Sequence, residues 1–133
     1  MKFTYYGHSC FAVEIKGKKI LFDPFIIYNE LAKDIDVNSI EADYIFVSHG
    51  HQDHLADAVM IAKRTGATVV ANYEVATWLQ KKGAEKIMPL NQGGNVQFDF
   101  GTARGTSAIH SSGLPDDSYG GNPIGFLIKS DEG

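Results

Sequence analysis

Three histidines and an aspartate fall within six consecutive residues, His49-Gly50-His51-Gln52-Asp53-His54. Imidazole nitrogen and carboxylate oxygen are the donors that zinc and its neighbours in the first transition row take most readily. Along an extended segment alternate side chains point the same way, so His49 and His51 can share one target. Asp53 and His54 can then turn to a second, adjacent one. The whole chain holds only 5 histidines in 133 residues, so this density does not fit scattered surface or core histidines; it predicts a metal site. His110 follows an apparent strand, Thr102 to Ile109, and precedes the small residues Ser111-Ser112-Gly113; taken alone it is equally well a plain strand-end histidine. His8 sits at another strand end beside Ser9 and Cys10, and taken alone reads as a hydrogen-bonded structural histidine. Asp23, before Pro24, either ends a strand or accepts a hydrogen bond that fixes a ligand histidine. Cys10 reads as buried packing.

The elements that must position these residues follow from pattern. Phe3 to Tyr6 reads as a strand, and Cys10–Ile15 and Lys18–Phe22 flank a hairpin turn at Lys16-Gly17. Asp23-Pro24 ends the third strand, because proline cannot donate to a ladder. Residues 25–38 show no clean period and read as a loop with a helical turn. Tyr44-Ile45-Phe46-Val47 is a continuous apolar run suited to a strand buried on both faces, and the histidine-rich segment follows it as a loop from Ser48 to Asp53. Leu55 to Thr65 reads as a helix stopped by Gly66, with Leu55, Val59 and Ala62 on its inner face. Thr68–Ala71 is a strand, and Tyr73–Lys82 a helix closed by Gly83 with Val75, Trp78 and Leu79 inward. Lys86–Met88, Val96–Phe100, Thr102–Ile109 and Gly125–Lys129 are further strands. This order predicts a mixed sheet with helices packed on it, an α/β (α+β) domain.

Composition sets bounds on function. The length fits a single domain, 1–133, with 44% hydrophobic and 21% charged residues, the balance of an ordinary globular chain. The net charge is −4 and the only basic clusters are the pairs Lys18-Lys19 and Lys81-Lys82, which argues against duplex nucleic acid as partner. A small anionic substrate stays compatible, since a bound dication dominates its local field. One cysteine allows no intrachain disulfide, and no apolar run has the length of a signal or membrane segment. These features predict a cytoplasmic protein with no membrane partner. Phe126-Leu127-Ile128-Lys129 followed by Ser130-Asp131-Glu132-Gly133 reads as a strand and turn whose partner strand lies beyond Gly133. An open edge there predicts a homo-oligomer or a longer chain.

The segment His49-x-His51-x-Asp53-His54 after a hydrophobic strand resembles the signature of the metallo-β-lactamase superfamily. Gly7-His8-Ser9-Cys10-Phe11, Leu21-Phe22-Asp23-Pro24-Phe25, His110-Ser111-Ser112-Gly113 and Gly121-Asn122-Pro123-Ile124-Gly125-Phe126 resemble its branch of metal-dependent hydrolases related to L-ascorbate-6-phosphate lactonase. The resemblance runs along nearly the whole chain. It implies the N-terminal part of the αββα sandwich, with His49, His51 and His110 on a first metal, Asp53 and His54 on a second, and His8 near the site, binding substrate or supporting a ligand. It implies one or two divalent ions, zinc first, with manganese or iron as alternatives. A metal-activated water would then attack an ester, lactone or phosphoester, with Asp53 orienting the nucleophile or accepting its proton. The branch's further bridging aspartate and last histidine have no counterpart here, and Asp131 stands too early to be that aspartate. A catalytically silent metal-binding or assembly module is therefore the competing expectation.

Overall fold

The computed structural model describes all residues, 1–133, and arranges them in two sheets and one layer of helices. Six strands make a mixed sheet in sequence order: β1 (Lys2–Gly7), β2 (Cys10–Ile15), β3 (Lys18–Phe22), β4 (Tyr44–Phe46), β5 (Thr68–Ala71) and β6 (Lys86–Pro89). The first three are antiparallel neighbours and β3 through β6 run parallel. A second, antiparallel sheet holds β7 (Asn95–Phe98), β8 (Gly101–Ser107) and β9 (Ile124–Lys129), with β9 at its edge.

Alternation along the strands decides what packs where. Leu21, Ile45, Val47, Val69 and Ala71 face the helices and bury against Ile61, Val75 and Leu79. Ile20, Phe22, Phe46 and Val70 point the other way, between the sheets, and meet Phe100, Ala103 and Phe126. The central strands are thus apolar on both faces, which is why they read as unbroken hydrophobic runs. The helices are α1 (Gln52–Leu55), α2 (Ala58–Thr65) and α3 (Tyr73–Lys82). No helix is long and apolar enough to cross a membrane. The layer order is helix, sheet, sheet, the α, β and β layers of the expected sandwich.

Four expected boundaries need correction. The single helix over 55–65 is two pieces, because Asp57 turns its buried carboxylate away to accept the N–H groups of Ile26 (2.6 Å) and Ile27 (3.1 Å). The loop expected over Ser48–Asp53 gives way to α1 at Gln52. The strand over 102–109 stops at Ser107, where its pairing with Ile124 of β9 ends, and Ile109 is fully exposed. Asp99 and Phe100 form the turn between β7 and β8 and not the end of β7.

Candidate metal centre

Parallel pairing of β3, β4 and β5 places their C-terminal ends at one rim of the sheet, where open α/β sheets gather ligands. Asp23 follows β3, Ser48 and His49 come just after β4, and Asn72 follows β5. Phe11 pairs with Phe22, so the Gly7-His8-Ser9 turn joining β1 to β2 reaches the same rim. The loop after β8 brings His110 there. It is anchored by Asn72, whose Nδ2 donates to Gly120 O (2.7 Å) and Asn122 O (2.9 Å) while its Oδ1 caps α3 at Val75 N. Gly50 lets the two loops touch: its N–H donates to Ser112 Oγ (2.9 Å), and a Cβ on it would lie 2.8 Å from Ser112 O.

At this rim the side chains form two adjoining groups, His49–His51–His110 and His8–Asp53–His54, whose donor atoms in each lie within 4.8 Å of one another. His49 Nε2 and His51 Nδ1 are 3.1 Å apart. The His110 ring stands 4.8 Å from that of His49 and 5.1 Å from that of His51, centroid to centroid. The two groups meet where His49 and His54 pack with centroids 4.1 Å apart.

The outward ring nitrogens have fixed partners, and these settle which nitrogen faces inward. Ser48 Oγ lies 2.7 Å from Asp23 Oδ2 and 2.9 Å from His49 Nδ1. A hydroxyl has one hydrogen; given to the carboxylate, it leaves the oxygen free to accept from His49 Nδ1–H. His49 then keeps a lone pair on Nε2. His51 Nε2 faces Ser111 Oγ at 3.2 Å, which leaves Nδ1 for the same point. His54 Nδ1 donates to Asp23 Oδ2 at 2.8 Å, turning Nε2 toward Asp53. Two donors on one tetrahedral zinc, each at about 2.0–2.1 Å, stand about 3.3 Å apart. The His49–His51 spacing and the inward lone pairs fit a shared cation.

Charge at the rim is graded. Burial, followed by the positive charge at His54 and then at His51 and His110, pushes the His49 imidazole down to about 4 against the pull of Asp23. Burial also disfavours charge on His54, but the hydrogen bond and charge of Asp23, with Asp53, outweigh it and raise that group. Burial would raise Asp53, yet the charge on His54 and the His8 hydrogen bond prevail and lower it.

His49, His51, Asp53, His54 and His110, with His8 and Asp23, all lie at this rim. Asp23 takes the hydrogen-bonding position on His54, and His8 lies with its Nε2 3.0 Å from Asp53 Oδ2. Cys10 is buried, and that burial pushes its thiol up to about 12. Sequence reasoning missed Ser48, Gly50 and Asn72. Only Ser48 and Gly50 carried a signal, their adjacency to His49; nothing local marks Asn72.

A family model described as a beta-lactamase superfamily domain matches residues 2–133. The chain belongs to that family, with the fold of the metallo-β-lactamase superfamily. A protein of Methylacidiphilum infernorum named UPF0173 metal-dependent hydrolase is 50% identical over 133 residues, covering 100% of this chain and 59% of that protein. One of the same name from Flavobacterium johnsoniae is 48% identical over 131 residues, covering 98% and 58%. The solved structure of Igni18, described as a novel metallo hydrolase from Ignicoccus hospitalis, is 35% identical with a TM-score of 0.82, covering 97% of this chain and 55% of that one. The chain therefore spans less than two thirds of the length of these relatives.

Proposed function

We propose that this chain is the cation-binding portion of a metal-dependent hydrolase acting on an ester, lactone or phosphoester of a small molecule. The observation that carries the reading is the pair His49 Nε2 and His51 Nδ1, 3.1 Å apart, with His110 beside them and the opposite ring nitrogens of the pair held by Ser48 and Ser111. The relatives named as metal-dependent hydrolases support it. Three imidazoles suit zinc, while the carboxylate of Asp53 in the adjoining group admits manganese or iron.

A divalent cation held there would acidify a coordinated water and draw charge from the scissile carbonyl or phosphoryl oxygen. The chain's own residues prepare for that. Asp23 and Ser48 fix the rings of His54 and His49, so little reorganisation accompanies binding. Asp53 stays ionised at neutral pH and half exposed, able to orient a nucleophile or take its proton.

The test is turnover of a lactone, an aryl ester and a phosphodiester with added zinc or manganese, for the parent chain and its His49→Ala and His51→Ala variants. The reading expects cation-dependent hydrolysis that both variants lose. Cation binding with no turnover of any of the three would make the chain a silent metal-binding module. Failure to bind a cation would overturn the reading altogether.

A further inference from the structure

We propose that His8 is itself a cation ligand, completing with Asp53 and His54 a three-donor site beside the first. The inference rests on the reading of the rim as a metal centre and deepens it, assigning a side chain of the first hairpin to the second ion.

Three observations converge. His8 Nε2 stands 3.0 Å from Asp53 Oδ2, and His54 Nε2 stands 3.8 Å from Asp53 Oδ1. These separations bracket the roughly 3.3 Å expected between donors on one tetrahedral ion. Asp23 holds His54 Nδ1 and so aims Nε2 into the group. The backbone supplies the second observation: His8 has φ 52° and Asp23 has φ 43°, both in the left-handed region that costs a side chain with a Cβ. Among the non-glycine residues with positive φ, His8 and Lys16 lie in turns and Asp23 and Asp117 at bends; of these four, His8 and Asp23 present their side chains to the two groups at the rim. Strain of this kind gathers where a site demands a particular side-chain direction. An exposed His–Asp pair contributes too little to explain it alone. Third, the His8 ring is held: Tyr5 Oη donates to His8 O (2.9 Å), and the ring packs edge-on to Phe25 at 5.6 Å and against His54 at 5.3 Å. Its side chain remains 42% exposed, so the group is open to solvent on one side, as a site that exchanges water and substrate must be.

Zinc titration followed by calorimetry and metal analysis tests this, with cobalt(II) absorption as a second readout. The parent chain should take a second zinc after the first. His8→Gly removes the donor and relaxes the left-handed turn, and His8→Asn keeps a side chain that tolerates it. Both should retain the first zinc and lose affinity for the second by more than about 100-fold, beyond the 10–100-fold typical of a residue that only supports a ligand. The cobalt spectrum of the second equivalent should change with them. A second zinc bound equally well by either variant, a loss of about 100-fold or less, or a parent chain that takes only one zinc would overturn the assignment while leaving the first site standing. No zinc at all, or zinc indifferent to His49→Ala, would instead sink the metal-centre reading beneath it.

Discussion

His49 is buried while its ring bridges a hydrogen bond on one side and a lone pair on the other. Only the neutral ring can do both. Its pKa in the folded chain, about 4, lies below the ordinary 6.5 of the unfolded one, so the unfolded state binds the proton more readily. The stability this contributes is present above pH 6.5 and is lost as pH falls toward 4. His54, raised by Asp23, has the opposite sign: its contribution is present at low pH and fades as pH rises through its folded value. His49 has the larger displacement, so the melting temperature of the metal-free chain should drop from pH 6.5 to 4. His49→Gln should flatten that drop; parallel profiles for the two chains would contradict the account. Asp23 offers a second residue-scale prediction. Asp23→Asn keeps an acceptor for Ser48 N (2.7 Å) and tolerates left-handed backbone, but loses the carboxylate oxygen shared by Ser48 Oγ and His54. Zinc affinity, read by chelator competition, should fall about 10–100-fold, with an unchanged circular dichroism spectrum; undiminished affinity would remove Asp23 from the site. The ligand-type residues were legible because their chemistry is written in their types. Ser48 was not, since a serine acquires this role only when a carboxylate from β3 and a ring from the next residue meet its hydroxyl.

Among the elements, the parallel register of β3, β4 and β5 does most to assemble the rim, by aligning Phe22, Phe46 and Val70 across three strands. The strands themselves were legible: Tyr44–Phe46 and Thr68–Ala71 are β-branched and aromatic runs, and the hairpin turn at Lys16-Gly17 is strong punctuation. The break between α1 and α2 was not, because it depends on amides of Ile26 and Ile27 about thirty residues away. Nor was the end of β8, set by how far β9 reaches. Asp57→Ala should orphan those two amides and free the segment after Pro24, costing about 2–3 kcal/mol in denaturant unfolding; a change within a few tenths would show that the segment is held otherwise. Gly50→Ala should force the Ser112 carbonyl away from the His49–His54 segment, displacing His110. Displacement of that order commonly costs about 100-fold in turnover, so cation-dependent hydrolysis should collapse while secondary structure persists. Full activity in Gly50→Ala would show that the loops do not need this close approach.

At the scale of the molecule, two cores flank the six-stranded sheet, one under the helices and one between the sheets, and the rim sits where loops from both sheets meet. That junction was only half legible. The helix-covered sheet followed from the strand–helix alternation, but the segregation of β7, β8 and β9 into a second sheet depends on long-range packing of Phe100, Ala103 and Phe126 onto Phe22 and Phe46. A cation tied to both loops should stabilise the fold by mass action, about 2.7 kcal/mol at a hundredfold excess over the dissociation constant, or about 10 °C in melting temperature. His51→Ala should show no such rise; an equal rise would place the binding elsewhere. The most direct test of the central claim is X-ray absorption at the zinc edge on the chain loaded with one equivalent. The account predicts a shell rich in imidazole nitrogen at about 2.0–2.1 Å, with one imidazole fewer in His110→Ala. A shell of oxygen donors alone, identical in His110→Ala, would contradict it.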